Sequence, residues 1–545
     1  MPLSKSISDN FRFLIIEVDS QLAKLHRYIA APEAPLARRI FDRSGYAHNL
    51  KSRIHRSCRS QLSGSVENDI IVHKLHAVEF TAGELDRIAE LCRDCVKQIS
   101  YVDNREILAA EDCQAMLERL RRGLDLIEKA VLESDSDLAL KIAQVESKLD
   151  RDYLKLLRFH VAALKQKDNT NDIICSLFVA HSIEQMGDVL LDISEAIISA
   201  NLGQTVNFER FNTLQASIES MAVGERVNEL KIKAIAETRS GSAISAITTS
   251  ASEDDFLGIF KDGEKRKLKG ERKGLDSWNT IYPGLAPKIL SYQKRGQSAA
   301  LLIEHLPGLT FEQIVLNESP ALINEALQHL EMTLRSVWQE THSKKVIAAN
   351  FMQQLAVRLP DVYTIHPEFR HSDMQLCGLE IASFNQLLVR AMEFECELKA
   401  PFAVYIHGDF NIDNIIYDPL EQRINFIDLH RSRYTDYVQD ISVFMVSNYR
   451  LQILDVEHRQ RILSVATAFY ESSRRYAMEQ KDDSFDLRLT LGLARSFVSS
   501  TRFILDKSLA RSMFLRARYL LEQLLALDPK QMSGYSLAVK DIFRA

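Results

Sequence analysis

Proline is missing between Pro35 and Pro283. Proline interrupts helices, so its absence over that span leaves room for helices longer than average. Cysteine is also scarce. The seven cysteines are an odd, scattered set, which argues against a disulfide framework and suits a reducing cytoplasm. Cys92 and Cys95 form a lone CxxC inside a helical pattern; with no second pair at metal spacing they read as ordinary helix residues. The stretch from Met1 to Asn10 has no apolar core of signal-peptide length, and no apolar run approaches a membrane span. Neither sign of charge is in large excess: 68 Lys and Arg against 74 Asp and Glu give a formal net charge of −6, so nothing global suggests nucleic-acid binding. The hydrophobic content is 46%, enough for proper cores, and 545 residues make two to four domains the natural expectation.

In most of the proline-free span apolar residues recur at three and four, as on one face of a helix. Phe11, Leu14, Ile15, Val18, Leu22 and Leu25 form one such row; Leu138, Leu140, Ile142, Val145 and Leu149 form another. Residues 1–227 therefore read as a bundle of long helices. The pattern changes near Ile232. Ile232 to Ala236, a turn at Ser240-Gly241-Ser242, and Ala243 to Ile247 read as strand, turn, strand. Phe256 to Lys261 and Ala299 to Ile303 read as further strands. From Thr310 onward helices return, interrupted by strands near Asp409 and Asp428. The expected division is 1–227 and 228–545, the latter with a β-rich lobe (228–308) and a helical lobe (309–545).

The most informative stretch is His407-Gly408-Asp409-Phe410-Asn411-Ile412-Asp413-Asn414, followed by Ile424-Asn425-Phe426-Ile427-Asp428. Phosphoryl transfer needs a carboxylate to orient the acceptor hydroxyl and oxygen ligands to hold the metal that bridges the nucleotide phosphates. Asp409 follows the apolar strand Ala403 to Ile406, so it emerges at a strand end. Asn414 can turn back as a neutral oxygen ligand. Ile415 to Tyr417, a turn at Asp418-Pro419 and Ile424 to Ile427 read as a hairpin returning Asp428 toward Asp409.

These motifs resemble the catalytic-loop and metal-binding motifs of the aminoglycoside phosphotransferase and choline kinase superfamily, over roughly Ile232 to Leu527. The resemblance implies a two-lobed protein-kinase-like α+β fold that uses ATP and Mg2+. It implies that Asp409 is the catalytic base and that Asn414 and Asp428 are magnesium ligands. Asp440, in Asp440-Ile441-Ser442, resembles the family's Asp-Leu-Ala aspartate, which supports the catalytic loop. Ser240, Gly241 and Ser242 take the place of the phosphate-covering turn, where small residues let backbone N–H groups approach the nucleotide. Lys261 matches the lysine that contacts the phosphates. Glu271 resembles the helix glutamate that pairs with it, with Glu264 as the competing candidate. Gly284 to Leu290 resembles the segment before the hinge, and Glu304, His305 and Leu306 would be the hinge that reads adenine. The cluster Lys265, Arg266, Lys267, Lys269, Arg272 and Lys273 reads as the solvated face of a helix, or else as added charge near the phosphates.

In the helical half, Glu184, Asp188, Asp192 and Glu195 share one helix face. The segment from Ser182 to Gly203 resembles the PhoU-like helical domain of phosphate signalling, which has two three-helix repeats and an acidic metal-binding motif on this helix. The match is good in the second repeat and poor in the first, where Glu79, Glu84 and Asp86 do not keep the spacing. Metal binding and a plain solvated acidic face both remain open. The basic segment from Arg38 to Arg59 could engage a polyanion or an acidic partner, or form the wet face of a helix pair.

The whole then reads as a multidomain cytoplasmic protein, an all-α PhoU-like bundle followed by a kinase-like domain. The expected activity is transfer of the γ-phosphoryl group of ATP to a hydroxyl of a small molecule, with the bundle regulating, dimerising or contacting a regulatory partner. The alternative is a nucleotide-binding sensor in phosphate-linked signalling. Neither a nucleic acid nor a membrane span is expected.

Overall fold

The computed structural model describes residues 3–63, 69–166, 168–203, 206, 208–219, 230–237, 243–249, 256–295, 298–453, 455–528, 530 and 532–544. The chain forms two compact units, Met1–Asp262 and Gly263–Ala545.

Among the described residues the first unit holds seven α-helices: α1 (Lys5–Ala30), α2 (Ala34–Ser63), α3 (Asp69–Ile99), α4 (Ala110–Glu133), α5 (Ser136–Leu164), α6 (Thr170–Leu202) and α7 (Phe208–Glu219). Side-chain caps set several starts; Asp135, for example, accepts from the Leu138 N–H at 2.9 Å at the head of α5. Helices α1, α2 and α3 pack on one another, α4, α5 and α6 do likewise, and α3 lies along α6. The expected stripe on α1 is buried throughout. On α5 the buried face runs instead through Ala139, Ile142, Ala143 and Leu149, while Leu138, Leu140 and Val145 are only half-buried. Small residues there allow close approach, so alanine rather than leucine marks the seam. Gly187 serves the same purpose on α6: a Cβ there would lie 2.8 Å from Leu149 Cδ1.

Helix α6 is long and apolar enough, by length and composition, to cross a membrane, although the sequence showed no run of that kind. Its apolarity has a local cause. It is packed by α3, α4 and α5 at once, and 61% of its most apolar window is buried. Cys92 and Cys95 are buried helix residues, and burial pushes the Cys92 thiol up to about 12. The basic segment on α2 meets acids on neighbouring helices. Arg43 pairs with Glu17 of α1, and Lys51 and Arg59 pair with Asp86 and Glu79 of α3. Three of its cations thus have partners within the bundle.

Strands β1 (Leu230–Glu237), β2 (Ala243–Thr249) and β3 (Phe256–Glu264) follow as an antiparallel ribbon, with Ile232 opposite Ile247 and Ile244 opposite Lys261. The division between the units falls within β3.

The second unit begins with α8 (Lys265–Ile281), then β4 (Ile289–Arg295) paired antiparallel with β5 (Ser298–Ile303). Strand β4 was not expected. Its tail, Gln293-Lys294-Arg295, is polar and charged, which weakens the apolar alternation by which a strand is recognised. Next come β6 (Leu309–Thr310), α9 (Phe311–Asn317), α10 (Pro320–Glu340), α11 (Phe351–Ile365), the short hairpin β7 (Met374–Leu376) and β8 (Leu379–Ile381), and α12 (Phe384–Cys396). The centre is β9 (Val404–Ile406), β10 (Ile415–Asp418), β11 (Arg423–Phe426) and β12 (Arg433–Thr435). Helices α13 (Val438–Tyr449), α14 (Val456–Glu479), α15 (Phe485–Thr501), α16 (Lys507–Leu525) and α17 (Val539–Phe543) complete the unit. Every residue of α13 is buried, with α14 and α15 packed on it. Ahead of α13, the buried guanidinium of Arg488 bridges Asp436 and Asp482, and Tyr437 donates to Asp482 at 2.7 Å.

Candidate active site

The site grows from the end of β9. Its residues Val404, Tyr405 and Ile406 are buried, and the chain then turns sharply at Gly408, where φ is +85°. A Cβ at Gly408 would lie 2.3 Å from the Arg431 carbonyl oxygen, so the turn needs glycine on both counts. Asp440, at the start of α13, accepts from the His407 and Gly408 N–H groups at 2.7 and 2.9 Å and thereby holds the turn. Burial pushes its carboxyl up to about 7 despite those two donors. His407 is buried, which holds its pKa below the ordinary value. Its Nε2 lies 2.8 Å from the Ile427 carbonyl, and its Nδ1 accepts from the Asp409 N–H at 3.2 Å. Those partners fit a neutral ring protonated at Nε2.

Asp409 is therefore presented from a loop fixed at both edges. Asn411 donates to its carboxylate at 3.1 Å. Asn414 Nδ2 donates to the Asp409 carbonyl at 2.9 Å, a bond that leaves the Asn414 Oδ1 end for other use. Strands β10 and β11 pair antiparallel, Ile415 opposite Phe426, and the Ile427 N–H reaches the Asn414 carbonyl at 3.0 Å. The hairpin thus brings the backbone next to Asp428 against Asn414, as expected. Asp428 itself has φ +61°, a left-handed conformation that costs a non-glycine residue on the order of 1–3 kcal/mol.

Helix α8 meets this loop from within the same unit. A Cβ at Gly274 would stand 2.1 Å from the Leu429 carbonyl oxygen, so α8 touches the backbone beside Asp428 with nothing between. The two glycines that weaken α8 as an isolated helix face this loop, Gly270 against His430 and Gly274 against Leu429. Glu271 is buried, whereas Glu264 is exposed at the start of α8. The ligand atoms of Glu271, Asp428 and His430 lie within 4.8 Å of one another. His430 Nδ1 is 2.9 Å from Asp428 Oδ1, a contact that raises the histidine pKa. Asn414 and Asp428 offer the hard oxygen donors that a magnesium ion takes.

The other expected residues fall as follows. Lys261 is buried on β3, at 7% exposure. Ser240, Gly241 and Ser242 lie outside the described residues. Glu304, His305 and Leu306 directly follow β5, where a hinge is expected, but the Glu304 N–H donates to the Lys288 carbonyl and its carboxylate accepts from the Lys288 N–H. Any base contact therefore falls to the remaining backbone groups there. Five of the six cations on α8 are exposed and Lys267 is half-buried, in keeping with a solvated face.

Several residues at the site went unnoticed in the sequence. His430 stands two residues after Asp428, close enough to have been weighed as a ligand. Arg431 Nη1 lies 3.5 Å from Asp409 Oδ2. Arg358 and Arg495, on α11 and α15, are electrostatically coupled to Asp409. An arginine within a helix carries no sequence signal for such a place.

In the first unit, Glu184, Asp188, Asp192 and Glu195 all lie half-buried along α6. His181 Nδ1 is 3.0 Å from Glu184, and Glu195 accepts from the Phe208 N–H at 2.9 Å. Burial raises the carboxyls of Glu184, Asp188 and Glu195 above their usual range, as it does Glu84 on α3, which also feels Asp192.

Comparison with known proteins finds a match in each half of the chain. Residues 319–465 match the model of the ecdysteroid kinase-like family, and residues 114–197 match that of the PhoU domain. The first range contains Asp409, Asn414, Asp428 and Asp440. The second ends within α6 and contains Glu184, Asp188, Asp192 and Glu195. Among curated proteins, the phosphate-specific transport system accessory protein PhoU of Edwardsiella tarda is 24% identical over 193 residues, covering 34% of this chain and 78% of the relative. A PhoU homolog of Pseudomonas putida is 26% identical over 225 residues, covering 41% and 82%. Among solved structures, an ethanolamine kinase of Plasmodium vivax is 12% identical, with a TM-score of 0.33, covering 62% of this chain and 94% of that one. The chain thus combines a PhoU-like helical region with a kinase-like region. The matching kinase-like model is the ecdysteroid one, related to the aminoglycoside phosphotransferases that the motifs resemble.

Proposed function

We propose that this chain is an ATP- and Mg2+-dependent phosphotransferase whose acceptor is a hydroxyl of a small molecule, and that its helical region regulates or dimerises the kinase. The observation that carries the reading is the catalytic loop. Asp409 leaves β9 on a glycine turn held by Asp440, Asn414 is tied to the Asp409 carbonyl, and the β10–β11 hairpin returns Asp428 beside Asn414. In this reading Asn414 and Asp428 hold the metal, which neutralises charge on the phosphates. Lys261 is assigned to the nucleotide phosphates and Glu271 to the acid of the α8 helix; Ser240, Gly241 and Ser242 are assigned to the phosphate-covering turn, and Glu304, His305 and Leu306 to the base. Asp409 orients the acceptor hydroxyl and takes its proton as the acceptor oxygen bonds to the γ-phosphorus and the β–γ bridging bond breaks. The reading places the kinase domain at residues 228–545, the bundle at 1–227, and the protein in the cytoplasm.

One observation favours a second reading. Arg431 Nη1 lies 3.5 Å from Asp409 Oδ2, so the carboxylate is already engaged by a guanidinium. A nucleotide-binding regulator with no turnover would keep that pair. The deciding experiment compares ATP consumption by the wild type and Asp409→Ala over a panel of hydroxyl compounds, with Mg2+-nucleotide binding measured alongside. Asp409-dependent consumption supports the kinase. Tight nucleotide binding with no Asp409-dependent consumption on any acceptor supports the regulator.

A further inference from the structure

Arginines converge on Asp409 from three separate parts of the second unit. Arg358 comes from α11, Arg431 from the segment after Asp428, and Arg495 from α15. Arg495 is 5% exposed and lies over the Phe351 ring at 5.6 Å, yet its Nε and Nη2 have no hydrogen-bond partner among the described residues. Arg358 is half-buried and, among the described residues, makes no hydrogen bond or ion pair. Repulsion from Arg431, Arg433 and Arg502 adds to the burial that holds its pKa down. Burial and the charge of Arg358 likewise push Arg495 down to about 9.

The opposing charge is thin. Arg502 is committed to Asp361 at 3.1 Å, and Arg433 donates to Gln439 at 3.3 Å. The carboxylates that act on Arg495 include Asp409, Asp440 and Glu395, and Asp440 and Glu395 each already accept two backbone N–H groups. A buried guanidinium with unfilled donors is costly unless an anion meets it. Arginine's planar fork matches phosphate and carboxylate oxygens. The unmet donors lie on helices of the second unit that carry none of the residues assigned to the nucleotide or its metal.

We propose that the acceptor is itself an anion: a small hydroxy compound bearing an oxyanion group, held by Arg358 and Arg495 while its hydroxyl faces Asp409. Such an acceptor would also draw Arg431 off Asp409 and free the base. The inference rests on the kinase reading above, and its chemistry is unchanged: the acceptor oxygen bonds to the γ-phosphorus, the β–γ bridging bond breaks, and the proton passes to Asp409.

Inorganic phosphate is the probe, titrated calorimetrically into the full-length protein saturated with Mg2+ and a non-hydrolysable ATP analogue. The wild type should bind phosphate alongside the analogue. Arg358→Gln should weaken phosphate binding by about tenfold, the scale of one charge-assisted hydrogen bond, and leave analogue affinity within about twofold. Arg358 is half-buried, so this variant is expected to fold, which circular dichroism checks; Arg495→Lys gives a second, milder loss. In the turnover panel, anionic hydroxy compounds should be consumed ahead of neutral and cationic ones, with Arg358→Gln raising KM more than it lowers kcat. Phosphate binding that is absent, or unchanged in Arg358→Gln, overturns the proposal. So does exclusion of phosphate by the analogue together with loss of analogue affinity in the variant, which would assign the arginines to the nucleotide's own terminal phosphate. Failure of the analogue to bind at all counts against the kinase reading instead, and Arg358-dependent phosphate binding then stands as evidence for the anion pocket.

Discussion

Each unit contains a glycine at a tight helix contact and a set of partly buried carboxylates, and the two units use them differently. Gly187 in the bundle faces the tip of the Leu149 side chain, which can rotate away. Gly274 in α8 faces the Leu429 carbonyl, which cannot move without the loop that carries Asp428. The carboxylates differ in the same way. On α6 they lie in a row with few donors, and burial raises Glu184, Asp188 and Glu195 alike. Around β9 each carboxylate is engaged separately. Asp440 grips two amides, Asp409 accepts from Asn411, and Asp428 meets His430. One region spreads a property along a face, and the other gives each atom a partner. Substitutions should therefore be graded in the bundle and sharp in the kinase-like unit.

The largest contrast is in chemistry. Asp409→Ala should lower phosphoryl transfer by about 10²–10⁴, the range for loss of a positioned general base, while Asp188→Asn should leave the rate of the isolated reaction unchanged; steady-state assays of both variants decide. Equal losses from the two would break the distinction. Next in size is the buried pair of Asp436 and Asp482 around Arg488. Arg488→Ala strands two buried carboxylates and should cost about 3–5 kcal/mol, read from urea unfolding of the second unit. Gly274→Ala comes third. Its methyl meets a backbone oxygen, so about 1–3 kcal/mol of stability should be lost together with Mg2+-nucleotide affinity, whereas Gly187→Ala should cost less and leave nucleotide binding untouched.

The smallest expected effect concerns pH. Glu84, Glu184, Asp188 and Glu195 have folded-state pKa values above their ordinary ones, so the folded bundle holds protons that the unfolded chain releases. Their contribution is complete below the ordinary carboxylate range and is lost as pH rises through the raised values. Hydrogen exchange of α6 should therefore slow, relative to its intrinsic rate, as pH falls from neutral toward the ordinary carboxylate range. Asp440, at about 7, gives the second unit a similar slope ending near neutrality. A bundle whose protection rises with pH would remove the shared-face account of its acids.

Much of this architecture was legible in the sequence. The missing prolines marked the long helices, and an acid, an amide five residues on and a second acid after a hairpin marked the loop and hairpin that hold Asp409, Asn414 and Asp428. Period and spacing are local, and local information sufficed there. The remainder depends on contacts between distant segments. Arg358 and Arg495 lie 137 positions apart and resemble surface arginines until α11 and α15 pack together. Glu271 could be separated from Glu264 only by burial, and Gly274 looked like a flaw in a helix until Leu429 was seen against it. On α5, Ala139 and Ala143 are fully buried while Leu138 and Leu140 are half-buried, a pattern that a hydrophobicity stripe undervalues.

The turn between β10 and β11 has a practical consequence. Leu420 at its tip is 94% exposed, while the Asp418 carboxylate holds the Leu420 and Glu421 N–H groups and closes the turn on its own. The tip is thus joined by a few residues of strand to Asn414 on one side and Asp428 on the other, yet it packs against neither. A fluorescent label placed at position 420 would report motion of that hairpin in real time without touching Asp409, Asn414 or Asp428.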